Sequence, residues 1–267
     1  MSTVCVTGST DGIGLAAARA LLDEGHRVLV HARTSERGER ALAEAGLRGD
    51  VDLVTGDLGD LADVHRLAEQ VAERSGGALD VLAHNAGVWV RGGTPRTSAQ
   101  GVETTFAVNV LAPHLLTALL ADALAPRARV LWLGSGMARS GRPDPDAPGG
   151  PTDPREAYAT SKAWDVALAQ AWARRLAPSV EGVVGAAVDP GWVVTKLATP
   201  GAPGTPEQGA DTLVWCATAH DLATGYYKGR RQVALPDRVA DAQVQDALAA
   251  ACDRLLAEVD PGAARTG

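Results

Sequence analysis

Short apolar runs alternate with longer stretches of helical periodicity along this chain. The runs lie at residues 4–6, 27–30, 51–54, 81–83, 129–133 and 183–188. They are largely apolar rather than alternating, as expected of strands covered on both faces. Between them, apolar positions recur three or four apart. Leu61, Val64, Leu67 and Val71 make one such stripe, with Asp60 placed as its N-cap. Gly25 and Gly46 follow two other helical stretches, where a left-handed C-cap calls for glycine. Repeated strand–helix alternation predicts an α/β fold: a Rossmann-type, doubly wound parallel sheet with helices on both faces.

Two stretches interrupt the rhythm. Residues 136–154 hold five prolines and little that packs, and residues 199–206 are similar. Pattern resumes on each side, so these are long loops inside one domain spanning 1–267 rather than linkers. Residues 261–267 read as a loose tail. With 267 residues and 46% hydrophobic content, one sizeable core is expected.

Charge and cysteine content narrow the function. The net charge is −7 and no basic block exists, which argues against nucleic acid as a partner. No apolar run approaches the ~18 residues of a membrane span, and the first strand begins too early for a signal peptide. Cys5, Cys216 and Cys252 are widely spaced and odd in number, pointing to reduced thiols in the cytoplasm. The six histidines lack metal-ligand spacing, so no metal is expected.

The first strand runs into Thr7-Gly8-Ser9-Thr10-Asp11-Gly12-Ile13-Gly14, and a helix is expected from about Leu15. Glycines at a strand-to-helix turn let backbone approach a ligand, and the helix N-terminus offers N–H groups to a pyrophosphate. This T-G-x-x-x-G-x-G pattern resembles the short-chain dehydrogenase/reductase family, and the resemblance can be followed in order along nearly the whole chain. It implies cofactor contacts at Gly8, Ser9, Thr10, Gly12, Ile13 and Gly14.

The second strand ends at Arg33, where an acid would suit the ribose hydroxyls of NAD. A guanidinium suits a 2′-phosphate instead, so NADP(H) is expected over NAD(H); Asp11, a nearby carboxylate, is a mild counter-argument. By resemblance, Asp57 and Leu58 face adenine, and Asn85, Ala86 and Gly87 form the family's N-A-G turn. Pro190, Gly191, Val193 and Thr195 match the segment that contacts the nicotinamide carboxamide.

The sharpest signal is Tyr158-x-x-x-Lys162, whose separation of four puts both side chains on one helix face. With three Tyr and three Lys in the chain, such a pair is expected by chance only about 0.03 times. A free phenol has a pKa of about 10, and lowering it by three units takes about 4 kcal/mol. One ammonium at ~4 Å in an effective dielectric of ~20 supplies that much, provided the amine is not engaged elsewhere.

The resemblance makes Tyr158 the proton donor or acceptor, places both Tyr158 and Lys162 among the cofactor contacts, and has Lys162 hold the nicotinamide ribose. Ser135, at the end of a strand, would hold the substrate oxygen, with Ser140 the competing choice. Asn109 lies in a helical pattern over 100–120, four residues before Pro113. Proline has no N–H for the Asn109 carbonyl, so a kink is expected there. In the family, that asparagine's backbone holds a water that relays protons to the lysine.

Together these imply hydride transfer between a nicotinamide and a carbonyl or alcohol carbon. Trp89 and Trp192 flank the turns at the site and suit a hydrophobic small-molecule substrate. Residues 192–206 resemble a substrate lid. The long 136–154 loop is similar to that of the retinol-dehydrogenase-like branch. Family members pair into dimers or tetramers through the helices carrying Asn109 and Tyr158; that branch leaves a monomer open. The alternative reading is a dinucleotide-binding redox sensor without turnover, which would not need Tyr158, Lys162, Ser135 and Asn109 together.

Overall fold

The computed structural model describes residues 1–90, 97–149, 151, 153–195, 197 and 201–260. Its strands are β1 (Thr3–Val6), β2 (Arg27–Ala32), β3 (Val51–Thr55), β4 (Leu79–His84), β5 (Leu124–Leu133), β6 (Val184–Asp189), β7 (Gly225–Lys228) and β8 (Arg231–Val233). They form one sheet in the order β3-β2-β1-β4-β5-β6-β7-β8, parallel throughout except for β7–β8. The order reverses between β1 and β4, which opens a crevice at their carboxyl ends.

The uniformly apolar runs have a direct cause. Cys5, Leu29, Val54, Leu82, Val130 and Trp132 enter one hydrophobic layer, while Val4, Val6, Val28, Val30, Val81 and Leu131 enter the other. Successive side chains point to opposite faces, and both faces are covered. The helices are α1 (Gly12–Asp23), α2 (Ser35–Ala45), α3 (Leu61–Ser75), α4 (Thr104–Phe106), α5 (Ala112–Leu119), α6 (Pro154–Leu176), α7 (Pro206–Thr218) and α8 (Ala242–Val259).

Caps fall largely where the sequence places them. Asp60 accepts from the Ala62 N–H at the start of α3, and Gly46 caps α2 in the left-handed region. Gly25 also has a positive φ, one residue past the α1 cap. Helix α1 begins at Gly12 rather than Leu15, because Asp11 is its N-cap and accepts from the Gly12 N–H.

The stretch expected as one kinked helix over 100–120 is three pieces. Helix α4 starts only at Thr104, since Glu103 caps it and Gln100 instead bonds Asp60 and Leu61. A π-helical segment, Ala107–Leu111, then leads into α5, with the Ala112 N–H bonded to the Ala107 carbonyl. The distortion expected from Pro113 therefore takes the form of a π-bulge centred on Asn109.

Strands β7 and β8 escape the apolar-run criterion. β8 is a short antiparallel edge carrying Arg231 and Gln232, as exposed edges often do. The 136–154 loop contains a 3₁₀ turn, Gly136–Ser140, and its last residue is already the first of α6. Within the expected lid, Trp192 and Val194 are bridged to Gly204 by backbone hydrogen bonds; residues 196 and 198–200 of it, like the 261–267 tail, lie outside the described residues.

Helix α8 packs across α6 and reaches α5. Arg174 pairs with Asp246 at 2.7 Å, Arg175 with Asp253 at 2.8 Å, and the buried His114 of α5 with Asp253 at 2.7 Å. The chain's own C-terminal helix thus covers part of the surface of α6 and touches α5. Among the described residues, no helix is long and apolar enough to cross a membrane, and no cluster of His, Cys, Asp and Glu could hold a metal ion.

Candidate active site

A cavity of about 1110 Å³ runs along the carboxyl ends of the strands. Its floor at one end is the glycine loop. Gly8 sits at φ +64°, and a Cβ there would stand 2.9 Å from Ala86 Cα; a Cβ at Gly14 would stand 2.5 Å from the Gly8 carbonyl oxygen. Glycine is therefore required at both positions, and the loop lies flat against the N-A-G turn.

That turn is strapped to the loop by neutral hydrogen bonds. The Thr7 hydroxyl accepts from the Asn85 and Ala86 N–H groups, both at 3.0 Å, and Asn85 Nδ2 donates to the Thr7 carbonyl at 2.8 Å. Gly8, Thr10, Gly12, Ile13, Gly14, Arg33, Asp57, Leu58, Asn85, Ala86 and Gly87 all line the cavity, as do Pro190, Gly191, Val193 and Thr195. Ser9 does not. Its hydroxyl is turned inward, donating to the Val6 carbonyl at 2.7 Å and accepting from the His31 N–H at 2.9 Å. It shapes the loop rather than facing a ligand.

His31 is a residue that the sequence reading passed over. The Gly8 N–H donates to its Nδ1 at 2.9 Å, so Nε2 carries the proton and donates to the Gly56 carbonyl at 2.9 Å. The ring thus ties the ends of β1, β2 and β3 together. Burial pushes its pKa down to about 4, which keeps it neutral. A polar residue closing the apolar run Val28-Leu29-Val30 is the signal that pointed to it.

At the same end, Arg33 is largely exposed and lies 3.6 Å from Asp57 Oδ2. A second guanidinium, Arg37 on the first turn of α2, donates to the Thr10 hydroxyl at 3.3 Å and also lines the cavity. The sequence reading missed Arg37, because only its position on a helix facing the loop brings it there. Asp11, the feared repulsive carboxylate, is committed to capping α1.

At the other end, Ser135, Tyr158 and Lys162 line the cavity together with Trp89, Met137, Trp192 and Leu197. The Ser135 hydroxyl accepts from the Met137 N–H at 3.2 Å, leaving its own proton to donate. Ser140 bonds back to the Met137 carbonyl and does not line the cavity. The Tyr158 ring stacks on Trp89, centroids 4.9 Å apart and 11° from parallel.

Asn109 is 2% exposed and stands behind the cavity wall. Its side chain accepts from the Val88 N–H at 2.8 Å and donates to the Val88 carbonyl and to the Ser161 hydroxyl, each at 3.0 Å. Ser161 in turn donates to the Tyr158 carbonyl at 2.8 Å. The side chain of Asn109 therefore links the N-A-G turn to the first turns of α6.

Lys162 requires a correction. Its Nζ lies 5.7 Å from the Tyr158 ring centroid, but it is not a lone ammonium. It donates to the Leu133 carbonyl at 2.8 Å and to Asp165 Oδ2 at 2.8 Å, and both side chains of this pair are buried. Burial works against the ammonium, yet Asp165, Tyr158 and the hydrogen bond outweigh it and hold the amine above its ordinary range. Burial likewise pushes Asp165 up to about 6 against the pull of Lys162. The three cysteines are buried and their thiols pushed upward, so none is an activated nucleophile.

Comparison with known proteins gives the family. The family model for short chain dehydrogenases matches residues 2–204. The chain belongs to the short-chain dehydrogenase family. An uncharacterized oxidoreductase of Emericella nidulans is 34% identical over 84% of this chain and 83% of its own. A Streptomyces sp. protein named as a candidate daunorubicin C-13 ketoreductase is 36% identical over 90% of this chain and 87% of its own. Among solved structures, an uncharacterized protein from Mycobacterium paratuberculosis superposes with a TM-score of 0.83 at 26% identity, covering 96% of this chain and 93% of that one. The protein BdcA in complex with NADPH gives 0.64 at 25% identity, covering 85% and 93%. As a short-chain dehydrogenase, this protein is an NAD(P)-binding oxidoreductase with a Rossmann-type fold.

Proposed function

We propose that the protein is an NADP(H)-dependent reductase that converts a hydrophobic ketone or aldehyde to an alcohol. The observation that carries this reading is Tyr158 held over the buried Lys162 beside Ser135, at the carboxyl edge of the sheet and at the far end of the cavity from the glycine loop.

The cavity fits a dinucleotide. Gly8 and Gly14 let the loop pack against the N-A-G turn, and Gly12 stands uncrowded at the N-terminus of α1, where a pyrophosphate is favoured. Arg33 and Arg37 stand where a 2′-phosphate would gain charge-assisted hydrogen bonds. Gly87 leaves open the space in front of Asn109 Oδ1 and Lys162 Nζ, where Lys162 would hold the ribose. Pro190, Gly191, Val193 and Thr195 would hold the carboxamide. When bound, NADPH supplies the hydride.

The chain's own residues do the rest. The Ser135 hydroxyl donates to the carbonyl oxygen of the substrate and polarises it. Tyr158 Oη delivers the proton to that oxygen as it becomes an alkoxide. Lys162 stabilises the phenolate left behind, and the π-bulge at Asn109 frees backbone that can hold the water refilling the proton supply. Trp89, Met137, Trp192 and Leu197 exclude water and favour an apolar substrate body.

Titrations of NADPH and NADH followed by tryptophan emission test the cofactor half of the proposal. NADPH is expected to bind at least about tenfold more tightly, and Arg33→Ala is expected to remove most of that difference. Tighter NADH binding would overturn it. A panel of aromatic ketones and aldehydes with the preferred nucleotide tests the rest; saturable binding with no turnover of any carbonyl would favour a dinucleotide sensor.

A further inference from the structure

Helix α6 carries a buried carboxylate that the reaction described above does not use. Asp165 lies one turn beyond Lys162 and is 2% exposed. Its Oδ2 accepts from Lys162 Nζ at 2.8 Å, while its Oδ1 is buried with no hydrogen-bond partner. A carboxylate this deep costs several kcal/mol to desolvate unless its surroundings compensate, and here one ammonium is its single hydrogen-bond partner. Such a group is a poor choice for stability alone.

The charge environment of Asp165 is simple. Lys162 on its own helix and the Cys252 thiol on α8 are the titratable groups that interact with it. Several other ionisable side chains on elements packed against α6 are engaged elsewhere. Asp189 pairs with Lys228, Asp253 with His114 and Arg175, Arg139 with the Ala234 carbonyl, and Tyr226 with the Ser135 carbonyl. Among the described residues Lys162 is the one cation that interacts with Asp165, while the Tyr158 phenol and Asp165 are the two acidic groups that act on Lys162.

We propose that Asp165 is a positioning residue for the reaction: it fixes the Lys162 ammonium against the end of β5 and offsets part of its charge, so that the acidity of Tyr158 is set by the Lys162–Asp165 pair rather than by Lys162 alone. This rests on the reading of Tyr158 as the proton donor. An unopposed ammonium in so dry a site would favour the phenolate too strongly, and a phenol ionised before the carbonyl arrives has no proton to give. The paired carboxylate restrains it. Removing the carboxylate moves loss of the phenol proton to lower pH.

Near-ultraviolet titration of tyrosinate in the unliganded full-length protein reads this directly. Burial holds Tyr226 and Tyr227 above their ordinary range, which separates their signals from the low end of the titration. The difference between wild type and Tyr158→Phe isolates the Tyr158 signal. In Asp165→Asn, and in the apolar Asp165→Leu, the Tyr158 midpoint is expected to fall by about one pH unit, with the alkaline limb of carbonyl reduction moving down alongside it. Asp165→Glu is expected to return both toward wild type. A folded, NADPH-binding Asn or Leu variant whose midpoint is unchanged or higher would overturn the proposal. Failure of both to fold while Asp165→Glu folds would also count against it, since that is the behaviour of a purely structural anchor. Full turnover in Tyr158→Phe would instead sink the underlying reading of Tyr158.

Discussion

At the glycine-loop end of the cavity, position is held by neutral hydrogen bonds: Gly8 to His31, His31 to Gly56, and Asn85 and Ala86 to Thr7. At the chemical end it is held by a buried ion pair, Lys162 with Asp165. The difference follows from what each end has to do. Binding a dinucleotide needs backbone kept in one shape at every working pH, and a neutral imidazole fixed as one tautomer provides that. Moving a proton needs a group whose charge can change, and a buried pair close to a phenol provides that. One end is indifferent to pH until it fails; the other is responsive by construction.

This contrast can be broken from the neutral side first. On that side Gly14→Ala is expected to have the largest effect, because its Cβ would stand against Asn85 Nδ2 and the Gly8–Ser9 backbone and cannot be absorbed by a rotamer change. NADPH affinity should fall at least about 100-fold, and thermal stability should fall with it. Binding within about threefold of wild type, by the same tryptophan titration, would show that the loop is not the dinucleotide floor.

The next effect is on stability against pH. His31 and His84 have folded pKa values pushed down by burial to about 4 and about 3, below the unfolded value near 6.5. The unfolded chain therefore binds more protons, so their stabilisation is complete above pH 6.5 and is lost as pH falls toward 4. At pH 5 each costs about 2 kcal/mol, and His114 adds in the same direction. Asp165, raised in the folded state by burial, has the opposite sign and offsets part of this loss. A net loss of about 3 kcal/mol between pH 7 and pH 5, read from urea unfolding, is expected; unchanged stability would contradict it. The smallest expected effect is the shift of about one pH unit in the Tyr158 midpoint when Asp165 is made neutral.

Most of the fold was legible because a buried parallel strand has an unmistakable composition, and six of eight strands show it. β7 and β8 were not, since Gly225-Tyr226-Tyr227-Lys228 is not an aliphatic run and β8 is a charged edge. Cavity-lining positions in the first loop follow from backbone requirements, which glycine reports faithfully; Ser9 turns inward because a hydroxyl in a loop can face either way. Pro113 announced the distortion at Asn109 but not that it would be a π-bulge. Asp165 was invisible for a different reason. Its position three residues after Lys162 puts it on the same helix face, but any acid three residues from a lysine looks like an ordinary surface pair. Its burial together with Lys162 is what sets it apart from such a pair.

The central claim is that Tyr158 gives the proton while other residues hold the cofactor. Steady-state reduction of an accepted carbonyl by Tyr158→Phe at saturating NADPH tests it most directly, with NADPH affinity measured on the same sample. The account predicts a fall in kcat of about 10³-fold with affinity unchanged within about twofold. A variant that keeps kcat within about tenfold of wild type, or that loses cofactor binding and turnover together, would contradict it.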